Sequence, residues 1–196
     1  LSGADAGNYT VASMVSGAVG QIDPRALTAT LSSGTSVYGA ALAPGTLTFT
    51  NVVAGDTVTG GPVVVNTTGL TSTSGNLIAG SHLGIQSVGT ALGGADAGNY
   101  TFAGMTGDYT VTRATLTASL TGLVSRTYDG TTGATLAAGN YGLAGAVGGD
   151  AVTLNNPTSG SYDSKHAGSG KTVTVTGLAL SGADAGNYTV ASMVSG

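Results

Sequence analysis

The chain has 196 residues, 35 of them glycine, and only 7% carry a charged side chain, for a formal net charge of −4. Without a basic surface to meet a phosphate backbone, we expect no nucleic-acid partner. The chain has no cysteine, only two histidines and no acidic residue other than aspartate, so we expect no enzyme, no cofactor and no dedicated metal site.

The chain opens on a segment that recurs twice. Residues 1–17, LSGADAGNYTVASMVSG, are identical to residues 180–196, and a diverged copy covers 92–107. A spacing of about 90 residues is that of a small domain rather than a solenoid unit. We therefore predict two tandem modules, 24–112 and 113–196, with residues 1–23 as the tail of a preceding module. We expect the chain to be a piece of a longer array.

Alternating apolar and polar residues predict short strands at 46–50, 108–112, 116–120, 172–176 and 188–190. Clusters of Gly, Asn, Asp and Ser separate them, which is typical of a sandwich or small barrel. We predict an all-β fold of two Ig-like β-sandwich modules, arranged end to end. No apolar run approaches the roughly 20 residues needed to cross a bilayer, so we expect no membrane insertion.

The string Asp-Ala-Gly-Asn-Tyr-Thr occurs in every copy of the repeat. Ig-like domains often carry Asp-x-Gly/Ala-x-Tyr at a strand corner, where the tyrosine hydroxyl bonds to upstream backbone. The pairs with this spacing are Asp5/Tyr9, Asp96/Tyr100 and Asp184/Tyr188. A plain glycine-rich turn, capped by the aspartate, is the alternative. Asp96 and Asp184 are also candidate Ca²⁺ ligands, with backbone carbonyls completing the site.

Two further motifs suggest chemistry but lack its context. Gly168–Thr172 resembles the end of a phosphate-binding loop, but Lys165 stands where that motif needs glycine, and a predicted strand follows in place of a helix. His82 and His166 do not occupy equivalent positions in the two modules. We therefore predict neither a nucleotide site nor a catalytic histidine.

The last strand predicted for module one, 108–112, has no equivalent at the end of module two. Its counterpart is the segment Val19–Asp23, near the start of the chain. We hypothesise that this segment packs on module two of a neighbouring molecule, or frays. The partners expected are thus neighbouring modules of the same chain and, through head-to-tail or lateral contact, other copies.

Four stretches of module two carry a family resemblance: Arg126–Thr132, Gly148–Thr153, Ala167–Leu178 and Leu180–Tyr188. Together they resemble the YDG repeat of filamentous-haemagglutinin-like adhesins of Gram-negative bacteria, named for the sequence that is here Tyr128-Asp129-Gly130. Module one resembles the related MBG type through Tyr38-Gly39 and residues 71–76. The resemblance implies a mostly β fold, with β-grasp-like α+β modules as the alternative. It also implies stalks of very large proteins, exported by two-partner secretion and without enzymatic activity.

We accordingly predict a structural stalk or spacer of a secreted adhesin at the bacterial cell surface, supporting cell adhesion or biofilm formation. The links between modules contain no flexible tract, and Pro24 restricts one of them. The alternatives are a polysaccharide- or matrix-binding module, which exposed tyrosines would favour, and a module for homotypic association through sheet edges.

Overall fold

Short strands joined by turns make up this protein. The computed structural model describes residues 1–196 and contains nineteen strands. Its only helical segments are 3₁₀ turns at Ala6–Asn8, Ala97–Asn99, Ala138–Asn140 and Ala185–Asn187. The all-β prediction is confirmed, and the α+β alternative is not observed. No helix is long and apolar enough to cross a membrane.

Residues 1–23 lie outside both modules. Their backbone hydrogen bonds join only residues within this segment, and they form no strand. Val19 is 95% exposed and Ile22 is 98% exposed. This segment, called the tail below, therefore does not pack on module one of its own chain.

Module one is built from ten strands. They are β1 (Arg25–Ala26), β2 (Ala29–Leu31), β3 (Gly34–Val37), β4 (Leu47–Phe49), β5 (Thr59–Gly60), β6 (Val64–Val65), β7 (Gly80–Val88), β8 (Leu92–Gly93), β9 (Tyr100–Thr101) and β10 (Met105–Thr112). The largest sheet has the order β3-β10-β7-β6, and three two-stranded pairs, β1-β9, β2-β4 and β5-β8, surround it. Both β3-β10 and β1-β9 are parallel.

Module two repeats much of this layout with nine strands. They are β11 (Ala114–Leu120), β12 (Gly133–Thr135), β13 (Tyr141–Ala144), β14 (Thr153–Leu154), β15 (Ser159–Tyr162), β16 (Val173–Thr176), β17 (Leu180–Ser181), β18 (Tyr188–Val190) and β19 (Met193–Ser195). They form sheets β12-β15-β16-β19 and β13-β11-β18 and the pair β14-β17. The parallel pair β11-β18 matches β1-β9.

All five predicted strands are present. Four of them begin within two residues of the expected start, and the last strand of module one begins earlier, at Met105. After β16 ends at Thr176, the chain does not continue straight into β17, which begins at Leu180. Gly177 has a φ of +78° and separates β16 from β17. Glycine adopts this left-handed backbone without the steric cost of a Cβ atom, so the chain turns there.

The core consists of two clusters of buried side chains. One lies wholly in module two and is centred on Leu136, Val173 and Val175. The other spans both modules, because Leu116 and Tyr188 of module two pack with Tyr38, Leu77, Tyr109 and Val111 of module one. Only Arg113 separates β10 from β11. The two modules are therefore joined by a shared core as well as by a one-residue link.

Candidate functional site

The corner motif ties each module's late strand to a turn far upstream. In module one, the Tyr100 hydroxyl donates to Asp56 Oδ2 at 2.6 Å and accepts the Val53 N–H at 3.0 Å. Asp96 Oδ2 accepts the Thr57 N–H at 2.8 Å. The Tyr100 side chain is buried, so its two bonds are partly shielded from bulk water, whereas the bond of Asp96 is exposed.

Module two builds the same corner with the residues at equivalent positions. The Tyr188 hydroxyl donates to Asp150 Oδ2 and accepts the Val147 N–H at 2.9 Å. Asp184 Oδ2 accepts the Ala151 N–H at 2.8 Å. The corner tyrosine thus bonds to upstream backbone, over a separation of about 40 residues.

The corner aspartates do not cap the 3₁₀ turns that follow them. Asp96 and Asp184 are the N-cap residues, but neither makes a side-chain capping bond. Their carboxylates instead accept N–H groups from other segments. No group of three or more His, Cys, Asp or Glu side chains that could hold a metal ion is present.

The corner of module two also binds module one, through the side chain of Tyr38. The Tyr38 hydroxyl lies 2.6 Å from Asp150 Oδ2 and 2.6 Å from Ser72 Oγ. Because it has one proton, it donates to the carboxylate and accepts from the serine. The Tyr38 ring also meets the Tyr188 ring edge-on, with centroids 5.2 Å apart. A single carboxylate oxygen therefore accepts one tyrosine hydroxyl from each module.

A loop of module one, residues 71–76, covers the rest of this corner. The Thr73 N–H donates to Asp184 Oδ1 at 3.2 Å, and the Thr73 hydroxyl donates to Asp184 Oδ2. The Ala79 N–H donates to Asn187 Oδ1 at 2.8 Å. Asp184 and Asn187 are both buried, and donors of the neighbouring module bond to side-chain oxygens of both residues.

A close backbone approach completes the contact. Gly39 has a φ of +79°, and a Cβ atom built there would lie 2.6 Å from Val147 Cγ2. Any other residue at Gly39 would strain the turn and collide with module two. We call the whole contact the joint. It consists of Tyr38, Gly39 and the 71–79 segment of module one, and of Val147, Asp150, Asp184, Asn187 and Tyr188 of module two.

The joint perturbs the groups that titrate in it. Burial, together with the Asp150 carboxylate, raises the pKa of Tyr188 to about 12, and the same two causes raise the pKa of Tyr38. Burial alone would raise the pKa of Asp150, but hydrogen bonds from Ser74, Tyr188 and Tyr38 outweigh it and lower the pKa. The pKa of Asp184 is lowered by its bonds with Thr73 and Ala151. The joint therefore favours charged aspartates and neutral tyrosines.

Other predicted residues lie elsewhere. Tyr128 is 61% exposed, although it occupies the position in module two that Tyr38 has in module one. Asp129 binds Arg126 at 2.8 Å, and Gly130 has a φ of +81°. Asp5 and Tyr9 lie exposed in the tail. The repeated tyrosines and aspartates thus fall into two groups. Those of the two module corners have hydrogen-bond partners in the fold, whereas Asp5, Tyr9 and Tyr128 are exposed.

Sequence reasoning missed the joint itself. It singled out Asp184 and Tyr188, but not Asp150 or Tyr38 as their partners. The signal was available, because the string Val-x-Gly-Asp recurs before each corner, at Val53–Asp56 and Val147–Asp150. Nothing in the sequence pattern indicated that the partner of one module's aspartate lies in the other module.

Comparison with known families identifies one segment of the chain. Residues 112–195 match the YDG domain. This confirms the YDG part of the resemblance in module two. No curated protein and no solved structure matches the chain.

Proposed function

We propose that this chain is a stalk or spacer segment of a large secreted bacterial adhesin of the filamentous-haemagglutinin-like, two-partner secretion kind. In this role it holds a distal binding region away from the cell and supports adhesion or biofilm formation. The observation that carries the proposal is the joint, in which Asp150 accepts hydroxyls from Tyr38 and Tyr188. The YDG domain of module two agrees with a repeat protein of this type.

The mechanism is mechanical. Bending one module against the other would break the bonds of Asp150 and Asp184 with module one and expose the aromatic pair of Tyr38 and Tyr188. Buried charge-assisted hydrogen bonds are costly to break without replacement. The one-residue link at Arg113 adds no flexible tract. A spacer with such joints transmits force along the chain and keeps neighbouring modules in a fixed relative orientation.

The burial of four tyrosine side chains favours a spacer over a sugar-binding module. A polysaccharide platform needs exposed aromatic faces, whereas four of the eight tyrosines are buried, namely Tyr38, Tyr100, Tyr109 and Tyr188. Tyr9 and Tyr128 are exposed, but they belong to different segments, the tail and module two. Burial of the aromatic side chains is what a spacer requires for stability.

The test is whether the modules reorient as one body. We expect NMR relaxation to give one rotational correlation time for both modules, and scattering to give an elongated particle. Tyr38→Phe removes the hydroxyl bonded to Asp150, so we expect the modules to reorient more independently. Tyr128→Phe, at the matching position outside the joint, should change nothing. Independent tumbling of the modules in the unsubstituted protein, or a compact scattering envelope, would contradict the proposal.

A further inference from the structure

One edge of the largest sheet of module one has no partner. In the order β3-β10-β7-β6, the outer strands are β3 and β6. The β3 edge is covered by a loop, because the Thr35 N–H donates to the Ala43 carbonyl at 3.2 Å. No strand pairs with the outer side of β6, and Val64 of this strand is 55% exposed. We call this outer side the β6 edge.

Module two covers the equivalent edge with a strand of its own. β15 pairs with β16 as β6 pairs with β7, antiparallel in both cases. β12 is added to the outer side of β15, also antiparallel. Module one has no counterpart of β12, and the interval that would contain it, 38–56, spans 19 residues, whereas its equivalent, 128–150, spans 23. The fold therefore accepts an antiparallel strand at a position where module one has none.

The backbone at the β6 edge has hydrogen-bonding groups that face outward. The Asn66 N–H donates to the Ile85 carbonyl of β7 at 2.9 Å. Because N–H groups point alternately to the two sides of a strand, those of Val63 and Val65 face away from β7. No turn or loop backbone bonds to these groups. Pro62 has no N–H, but its position faces β7, so it does not block the outer side.

No charge at the β6 edge repels another strand. Natural sheet edges are commonly protected by charged side chains, by proline or by a covering loop. Just ahead of β12 in module two, Arg126 pairs with Asp129 and donates to the Thr131 carbonyl. Residues 57–80, which contain β6, have no charged side chain, and Val63–Val65 is a run of three β-branched residues. This composition favours pairing with a further strand.

The β6 edge is complementary to a second copy of itself. Two identical strands that pair in antiparallel orientation are related by a two-fold axis. The outward groups belong to Val63 and Val65, so each of these residues faces the other one in the second copy, and the axis passes beside Val64. This register pairs every outward N–H and carbonyl of the two residues. It also places the exposed Val64 side chains of the two copies opposite each other.

We infer that two copies of this chain associate side by side through antiparallel pairing of their β6 edges. The contact uses the same surface on both copies, so it closes at a dimer and does not grow into a fibre. It is smaller than a standard protein interface, and we expect a Kd between about 10 μM and 1 mM. The inference goes beyond the spacer proposal, because a spacer whose β6 edges stay unpaired would leave that proposal standing.

Amide hydrogen exchange of the unsubstituted chain tests the register. Exchange at the N–H groups of Val63 and Val65 should slow as the concentration rises through the Kd, in proportion to the fraction of dimer. The N–H of Val64 faces β7, with which this residue pairs, so its exchange should not change. A chain that sediments as a monomer at about 2 mM would overturn the inference. So would a dimer in which exchange at Val63 and Val65 stays fast.

A pair of lysine substitutions gives a second test. Val64→Lys should weaken dimerisation about tenfold in analytical ultracentrifugation, because it places two like charges opposite each other. Leu83→Lys, on β7 at a position 79% exposed, lies outside the contact and should leave the Kd unchanged. Val64→Thr keeps the β-branched shape without a charge and should retain the dimer. Equal weakening by the two lysines, or none by Val64→Lys, would contradict pairing at the β6 edge.

Discussion

Asp150 illustrates how a residue that folds one module can also bind the next. Its module-one equivalent, Asp56, accepts the hydroxyl of Tyr100, from the same module. Asp150 makes the same bond with Tyr188 and adds a bond to Tyr38. The carboxylate has the acceptor capacity for both hydroxyls, so the second bond requires no change in the corner. Coupling between modules is thus obtained from a residue already needed for stability within one.

This arrangement predicts a pH dependence of the free energy of unfolding. The pKa of Tyr188 is about 12 in the folded protein, above the ordinary value of 10.0. The stabilisation that neutral Tyr188 gives to the folded state is therefore complete below about pH 10 and is lost as the pH rises through 12. The pKa values of Asp150 and Asp184 are lowered from 3.8, so their contribution is present above about pH 4 and is lost as the pH falls further. Urea titrations should therefore show a plateau between these limits.

The matched variants are Asp150→Asn and Asp5→Asn. An amide accepts the two hydroxyls less strongly than a carboxylate, so Asp150→Asn should cost about 2 kcal/mol at pH 7 and make the acid limb shallower. Asp5 lies exposed in the tail, and its substitution should leave the titration unchanged. Equal stability of Asp150→Asn and the unsubstituted protein at pH 7 would disprove the assigned role of the carboxylate.

At the scale of elements, the sequence located five of the nineteen strands and did not identify their pairing partners. Alternation located β4, β11 and β16, because a half-buried strand imposes a period of two on its own residues. The repeated corner motif located Tyr100 and Tyr188, whose bonds reach backbone upstream. The joint could not be predicted in this way. It depends on which faces two folded modules present to each other, and no local periodicity encodes that.

The turn after β3 gives a prediction at this scale. Gly39→Ala should destabilise the protein by more than the cost of a left-handed alanine, because the added methyl also meets Val147 of module two. Gly130→Ala is the matched control: its φ is +81°, and open space surrounds the added methyl. We expect chemical denaturation to show a loss of about 1 kcal/mol for Gly130→Ala and about twice that for Gly39→Ala. Equal losses of stability would mean that the Val147 side chain moves aside without cost, so that its contact with Gly39 does not constrain the joint.

At the scale of the whole molecule, the two modules share one cluster of buried side chains, whereas independent domains would each form their core from their own residues. Tyr188 and Leu116 of module two complete a cluster that contains Tyr38 and Tyr109 of module one. Unfolding of module two alone would expose that cluster and leave Tyr38 without its carboxylate partner. The intermediate with one module folded is therefore disfavoured, and repetition of such joints would make a long array behave as a mechanically continuous body.

The resulting prediction concerns cooperativity. Leu136 belongs to the cluster that lies wholly in module two, so Leu136→Ala should remove about 2–5 kcal/mol from that module directly. If the shared core couples the modules, hydrogen-exchange protection should fall together in β16 and in β7 of module one, and calorimetry should show a single transition at a lower temperature. Leu123→Ala, at a position 86% exposed, is the control and should leave both protections unchanged. If β7 kept its protection while β16 lost it, the modules would be independent folding units, and stiffness would have to come from the link at Arg113 alone.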